Sequence, residues 1–124
     1  MKPLRVLVVD DEPDTVTMLL AILRERGHEA RGHASAQAAL TALREFDPDV
    51  VISDIVMPSM NGWVLAREVR KLMCEKPVLI AISGRYNRDA DKANPDDSGF
   101  NHFLTKPADP EVVLNLVASA TPRK

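Results

Sequence analysis

The chain has 124 residues, 45% of them apolar and 27% charged, with a formal net charge of −2. That length suits one domain with one proper core, and the charge gives no general attraction to nucleic acid or to an anionic membrane. No apolar run approaches the ~20 residues that cross a bilayer. No signal-peptide pattern precedes the first strand, and the single cysteine, Cys74, excludes an internal disulfide or a cysteine-cluster metal site. Cys74 reads as a buried or incidental thiol. The expected setting is the cytoplasm, without membrane insertion.

Short apolar runs alternate with helical periodicities along the whole chain, without repeats or an interdomain linker. Arg5-Val6-Leu7-Val8-Val9 reads as a buried strand. Pro13 suits a first helical turn, and Val16, Leu19, Leu20 and Leu23 follow at the spacing of a one-sided helix. Gly27 ends it. His28 to His33 reads as a weaker strand toward the sheet edge. Ser35 is a predicted N-cap for a helix that turns Ala36, Ala39, Leu40 and Leu43 inward. Asp47-Pro48 turns into a strand over Asp49–Ser53. Gly62 precedes a third helix carrying Leu65, Val69 and Leu72, and Pro77 opens a strand over Val78–Ile82. Phe100–Thr105 reads as a fifth strand. The last helix starts near Asp109 and buries Val113, Leu116, Val117 and Ala120.

Near-continuous apolar strands alternating with helices imply a parallel sheet covered on both faces. The predicted class is α/β: a flavodoxin-like, doubly wound five-stranded parallel sheet of order 2-1-3-4-5 with helices on both faces. Ligands of such sheets sit outside the carboxyl ends of the strands, at the order reversal between strands 1 and 3. Asp10 and Asp11 end strand 1 and Asp54 ends strand 3. Ser83 ends the fourth strand and Lys106, followed by Pro107, ends the fifth. Three acids so placed repel one another, and a cation relieves them. All-oxygen ligands select a hard ion, Mg²⁺ before Ca²⁺. His28, His33 and His102 are too scattered for a nitrogen site and read as surface or strand residues. A carboxylate can attack phosphorus, while an ammonium and a hydroxyl stabilise the phosphoryl oxygens. A cationic clamp is therefore expected opposite the metal. Each feature alone has a plain structural reading; the acids of Asp10-Asp11-Glu12-Pro13, for instance, suit any helix start. Their joint occurrence at strand ends points to phosphoryl transfer.

The stretches Val8-Val9-Asp10-Asp11-Glu12, Asp54-Ile55-Val56-Met57-Pro58-Ser59-Met60-Asn61-Gly62, Ser83-Gly84 and Lys106-Pro107 together resemble the receiver domain of two-component response regulators. The resemblance covers essentially residues 1–124 as one receiver domain. It implies a signalling switch rather than an enzyme with an external substrate, one that catalyses only its own loading and unloading. By resemblance Asp54 accepts the phosphoryl group from a phosphohistidine. Asp11, Asp54 and the Val56 carbonyl would hold Mg²⁺ directly, and Asp10 would act through a metal-bound water. Ser83 and Lys106 would hold the phosphoryl oxygens, with the Lys106-Pro107 bond cis. Phe103 would be the switch aromatic, working with Ser83. Implied partners are a sensor histidine kinase or a histidine phosphotransfer domain, with no direct nucleic-acid contact and a weak or phosphorylation-dependent dimer left open. The source is either a stand-alone regulator or a hybrid histidine kinase, and the ending Leu104-Thr105-Lys106-Pro107-Ala108-Asp109-Pro110 resembles the latter. Ser83 replaces a commoner Thr. Val56 and Arg85 depart from the frequent pattern beside the route of hydrolytic water. Trp63, the only tryptophan, is assigned to packing next to the site.

Two other functions compete. A haloacid-dehalogenase-like phosphatase expects Asp-x-Asp and a cap domain, whereas the acids here are adjacent. A degenerate receiver used only for docking expects missing site groups, whereas all are present. The stretch Asn87–Ser98 has no apolar side chain larger than alanine. A helix there is expected to be at most two turns, around residues 87–94, followed by an irregular acidic loop to Gly99.

Overall fold

A computed structural model of the protein describes residues 3–55, 57, 61–74, 77–83, 99–106 and 108–120, with Ser83 described by its backbone alone. The strands are β1 (Arg5–Val9), β2 (Glu29–His33), β3 (Val50–Ser53), β4 (Val78–Ser83) and β5 (His102–Thr105). The helices among the described residues are α1 (Pro13–Glu25), α2 (Ala36–Phe46), α3 (Gly62–Met73) and α4 (Pro110–Ser119). All strands pair in parallel, in the order β2-β1-β3-β4-β5. The predicted architecture is therefore the observed one.

Alternation along the strands builds two apolar layers. Leu7, Val9, Val51, Leu79 and Ala81 face α2 and α3, meeting Ala39, Leu43, Leu65 and Val69. Val6, Val8, Ile52, Ile80 and Ile82 face α1 and α4, meeting Leu19, Leu23, Val113 and Val117. Each fully buried Val, Leu or Ile side chain contributes roughly 1.5–3 kcal/mol. Local chemistry starts the helices where the sequence suggests. The side chains of Ser35, Asn61 and Asp109 accept hydrogen bonds from the amides of Ala38, Val64 and Glu111, which satisfies amides left orphaned at helix starts. Pro13 and Pro110 occupy first turns.

Several inward assignments move. Leu72 is exposed, because α3 turns Leu65, Ala66 and Val69 inward and ends one residue later at Met73. Leu40 and Leu116 are only half-buried, and α4 buries Leu114 instead. Strands β2 and β3 begin one residue later than predicted, and Phe100 precedes β5 as a buried anchor. His28 is neither a surface nor a strand residue: it is buried before β2, and its Nδ1 accepts a 3.0 Å hydrogen bond from the Leu4 amide. Cys74 is exposed at the C-cap of α3, with φ 55°. The expected short helix around 87–94 and the loop after it lie outside the described residues.

At the end of the sheet opposite the acids, Arg70 ties three segments together. Its guanidinium donates to the carbonyls of Gly99, Cys74 and Pro77 and to Oδ1 of Asn101, at 2.8–3.1 Å. Five donors in one planar fork suit such a cluster of acceptors.

Candidate functional site

Sheet hydrogen bonding continues past the strand ends and places the acids. The Asp10 amide donates to the His33 carbonyl at 3.1 Å, and the Asp54 amide donates to the Val9 carbonyl at 2.9 Å. The chain then turns. The Asp10 carboxylate accepts the Glu12 amide at 2.9 Å, which leads into α1. After Asp54 the chain returns through the Gly62 amide, which donates to the Ile55 carbonyl at 2.7 Å. Gly62 lies so close to this turn that a Cβ there would stand 2.4 Å from the Asp54 carbonyl oxygen.

One carboxylate oxygen each from Asp10, Asp11 and Asp54 falls within 4.8 Å of the others. Asp10 and Asp54 are buried and Asp11 is exposed. The sequence predicts this gathering from strand ends alone. The Lys106 ammonium pairs directly with the acids, 2.9 Å from Asp10 Oδ2 and 3.3 Å from Asp54 Oδ2. It also lies 3.1 Å from Glu12 Oε1. The physical cause is the like-charge repulsion that the sequence implies: the cation nearest to hand relieves it.

The titration behaviour follows. Burial pushes Asp10 above its ordinary value, the Lys106 hydrogen bond and the Glu12 amide pull it back, and the charge of Asp54 raises it further. Burial, not mutual repulsion, is thus the leading cause. Burial opposes the charge on Lys106 too. The hydrogen bonds to Asp10 and Glu12, with the fields of Asp10 and Asp54, outweigh it and hold the ammonium well above the usual lysine range. Lys106 is therefore charged at neutral pH.

Glu12 is a site residue to which sequence reasoning assigns no role of its own, reading it as part of an acidic helix start and of the stretch Val8–Glu12. Its Oε1 accepts both Lys106 Nζ and Thr15 Oγ1, the latter at 3.2 Å. The available signal was a third consecutive acid with a hydroxyl three residues on. A cavity of about 460 Å³ opens beside the pair, bordered by Glu12, Thr15, Met18, Ile82, Lys106 and Ala108.

The remaining candidates divide. The backbone of Ser83 ends β4, paired in register with Thr105. Val56, Gly84, Arg85 and Pro107 lie outside the described residues. Phe103 is half-buried on the α3 side of the sheet. Its ring centroid is 5.7 Å from those of both Trp63 and Phe100, which are themselves 5.7 Å apart. Trp63 therefore packs, as expected, and packs on the predicted switch aromatic. Among the described residues no helix is long and apolar enough to cross a membrane.

Comparison with known proteins agrees with this arrangement. The family model of the response regulator receiver domain matches residues 6–118. Protein PilH of Pseudomonas aeruginosa is 32% identical over 113 residues, covering 91% of this chain and 93% of that protein. The DNA-binding response regulator MtrA of Mycolicibacterium smegmatis is 33% identical over 113 residues, and there the match spans 48% of the longer protein. The solved structure of the chemotaxis protein CheY4 of Vibrio cholerae superposes with a TM-score of 0.86 at 26% identity, covering 97% of this chain and 100% of that one. With the family model spanning nearly all of the folded sheet, the chain belongs to the response regulator receiver domains of two-component signalling, which act as switches rather than metabolic enzymes.

Proposed function

We propose that residues 1–124 form one receiver domain in which Asp54 accepts a phosphoryl group from a phosphohistidine, in a Mg²⁺-dependent reaction. The observation that carries this reading is the convergence of Asp10, Asp11 and Asp54 within 4.8 Å, with the Lys106 ammonium 3.3 Å from Asp54. The donor set fits the ion: three carboxylates and no nitrogen or sulfur favour a hard cation. Asp11, Asp54 and the Val56 carbonyl would hold Mg²⁺, and Asp10 would hold one of its waters. When bound, the ion neutralises the repulsion between the acids and the incoming phosphoryl group.

An Asp54 carboxylate oxygen attacks phosphorus while the bond to the donor imidazole nitrogen breaks, and that nitrogen keeps the electron pair. Lys106 and the Ser83 hydroxyl take the phosphoryl oxygens. Charge-assisted bonds are roughly twice as strong as neutral ones, so Lys106 carries more of the stabilisation than Ser83. Water later releases phosphate from Asp54, the only turnover the domain performs. The conformational change would run from Ser83 and Phe103 to an output face that includes β5 and α4. The proposed partners are a sensor histidine kinase or a histidine phosphotransfer domain in the cytoplasm. The net charge of −2 favours these over nucleic acid, and any dimer is weak or phosphorylation-dependent. The test is intact-mass analysis after acetyl phosphate treatment. Wild type should gain an acid-labile phosphate only with Mg²⁺, and Asp54→Asn should gain none. Equal labelling of the variant would remove the assignment.

A further inference from the structure

The Lys106 ammonium holds two of the carboxylates that a bound Mg²⁺ would need, Asp10 at 2.9 Å and Asp54 at 3.3 Å. A dication and an ammonium repel each other, so the two cannot share both acids at close range. The ammonium needs another carboxylate, and Glu12 supplies it at 3.1 Å. Glu12 is suited to that part. Its side chain is 63% exposed, against 9% for Asp54, so it lies at the mouth of the pocket rather than at its floor. Its Oε1 is oriented by the Thr15 hydroxyl, and its backbone begins α1, so the carboxylate is fixed to a rigid element. The cavity of about 460 Å³ beside the pair leaves room for the lysine chain to swing toward it.

We propose that Glu12 is a positioning residue that receives the Lys106 ammonium when a divalent cation enters the acid cluster, so that metal binding does not have to break the lysine's ion pairing outright. The inference rests on the Mg²⁺ reading given above. It makes Glu12 a determinant of metal affinity that acts through Lys106 rather than through the ion.

A double-mutant cycle separates the two routes. Mg²⁺ affinity is measured by isothermal titration calorimetry on wild type, Glu12→Gln, Lys106→Met and the double variant. Glu12→Gln should weaken Mg²⁺ about fivefold when Lys106 is present, a coupling within the range of residues sharing one ion-pair network. In the Lys106→Met background the same change should cost less than about twofold. Equal losses in both backgrounds would mean that Glu12 acts on the ion directly, and would overturn the proposal, as would no loss in either. If Lys106→Met fails to fold, Lys106→Gln closes the cycle. Wild type that binds no Mg²⁺ at all would instead remove the metal reading, and this inference with it.

Discussion

Replacing Gly62 by alanine should damage both the fold and the acid cluster. The added Cβ would meet the Asp54 carbonyl oxygen at 2.4 Å, the Ile55 Cα at 2.8 Å and the Asp54 carbonyl carbon at 3.2 Å. Real Cβ atoms essentially never come within 3.0 Å of a heavy atom outside their own residue and its chain neighbours. All three obstacles are backbone, so no side-chain rotation relieves them. Either the start of α3 lifts away, breaking the 2.7 Å bond from the Gly62 amide to Ile55, or the peptide after Asp54 shifts. Overpacking of this kind costs about 1–3 kcal/mol, and one lost backbone hydrogen bond adds about 1 kcal/mol. The gain in helix propensity from Gly to Ala, at most about 1 kcal/mol, offsets part of this. The expected net loss is about 2 kcal/mol by urea unfolding, with weaker Mg²⁺ binding because Asp54 moves. Gly32→Ala is the control. There the nearest atoms belong to half-buried side chains, Val16 Cγ1 and Leu20 Cδ1, rather than to backbone, so relief costs a side-chain adjustment of about 0.5–1.5 kcal/mol and leaves the peptide after Asp54 in place. Gly32→Ala should cost less and leave Mg²⁺ binding alone. If Gly62→Ala matches wild type in both assays, the close approach does not constrain the site.

Lys106→Met should lower stability in EDTA at neutral pH by about 2 kcal/mol, because it strips buried acids of a charge-assisted partner. The pKa of Lys106 is raised in the folded state. Its contribution is therefore fully present below the ordinary value of 10.5 and is lost as pH climbs beyond it. Urea unfolding at pH 7 should show the full difference, and a variant as stable as wild type would refute the ion-pair account. His28 works in the opposite direction. Burial first, and Arg26 second, hold its pKa below 6.5, so its stabilisation is present above that value and fades as pH falls below it. His33 adds a component of the same sign. His28→Leu should cost about 1–3 kcal/mol at pH 7.5 by leaving the Leu4 amide unpaired, and should flatten the acid limb of a stability-against-pH curve. An unchanged acid limb would count against His28 as its source.

Much of the molecule is legible in the chain itself, because the signals are local. Strand runs and helix spacings depend on near neighbours, and Ser35, Asn61 and Asp109 cap helices through amides two or three residues away. Acids closing β1 and β3 become neighbours once the crossovers are right-handed, and the sheet order then follows. What the sequence could not decide lies between distant segments. Lys106 and Glu12 are 94 residues apart, and only the tertiary fold, which brings the start of α1 beside the residue that follows β5, turns a generic acidic helix start into a partner for the clamp. Leu72 and Leu116 fit their helical patterns, yet sit at the margin of the stripe that the sheet covers, and Leu114 takes the place that periodicity assigns to Leu116. His28 appears exposable until the Leu4 amide, 24 residues away, is found donating to it. The contact of Gly62 with the Asp54 peptide is likewise a tertiary fact, since a glycine before a helix reads as a simple boundary. Periodicity settles which face of an element turns inward. Which atoms meet there is set by the layer packed against it, and that is a property of the whole sheet.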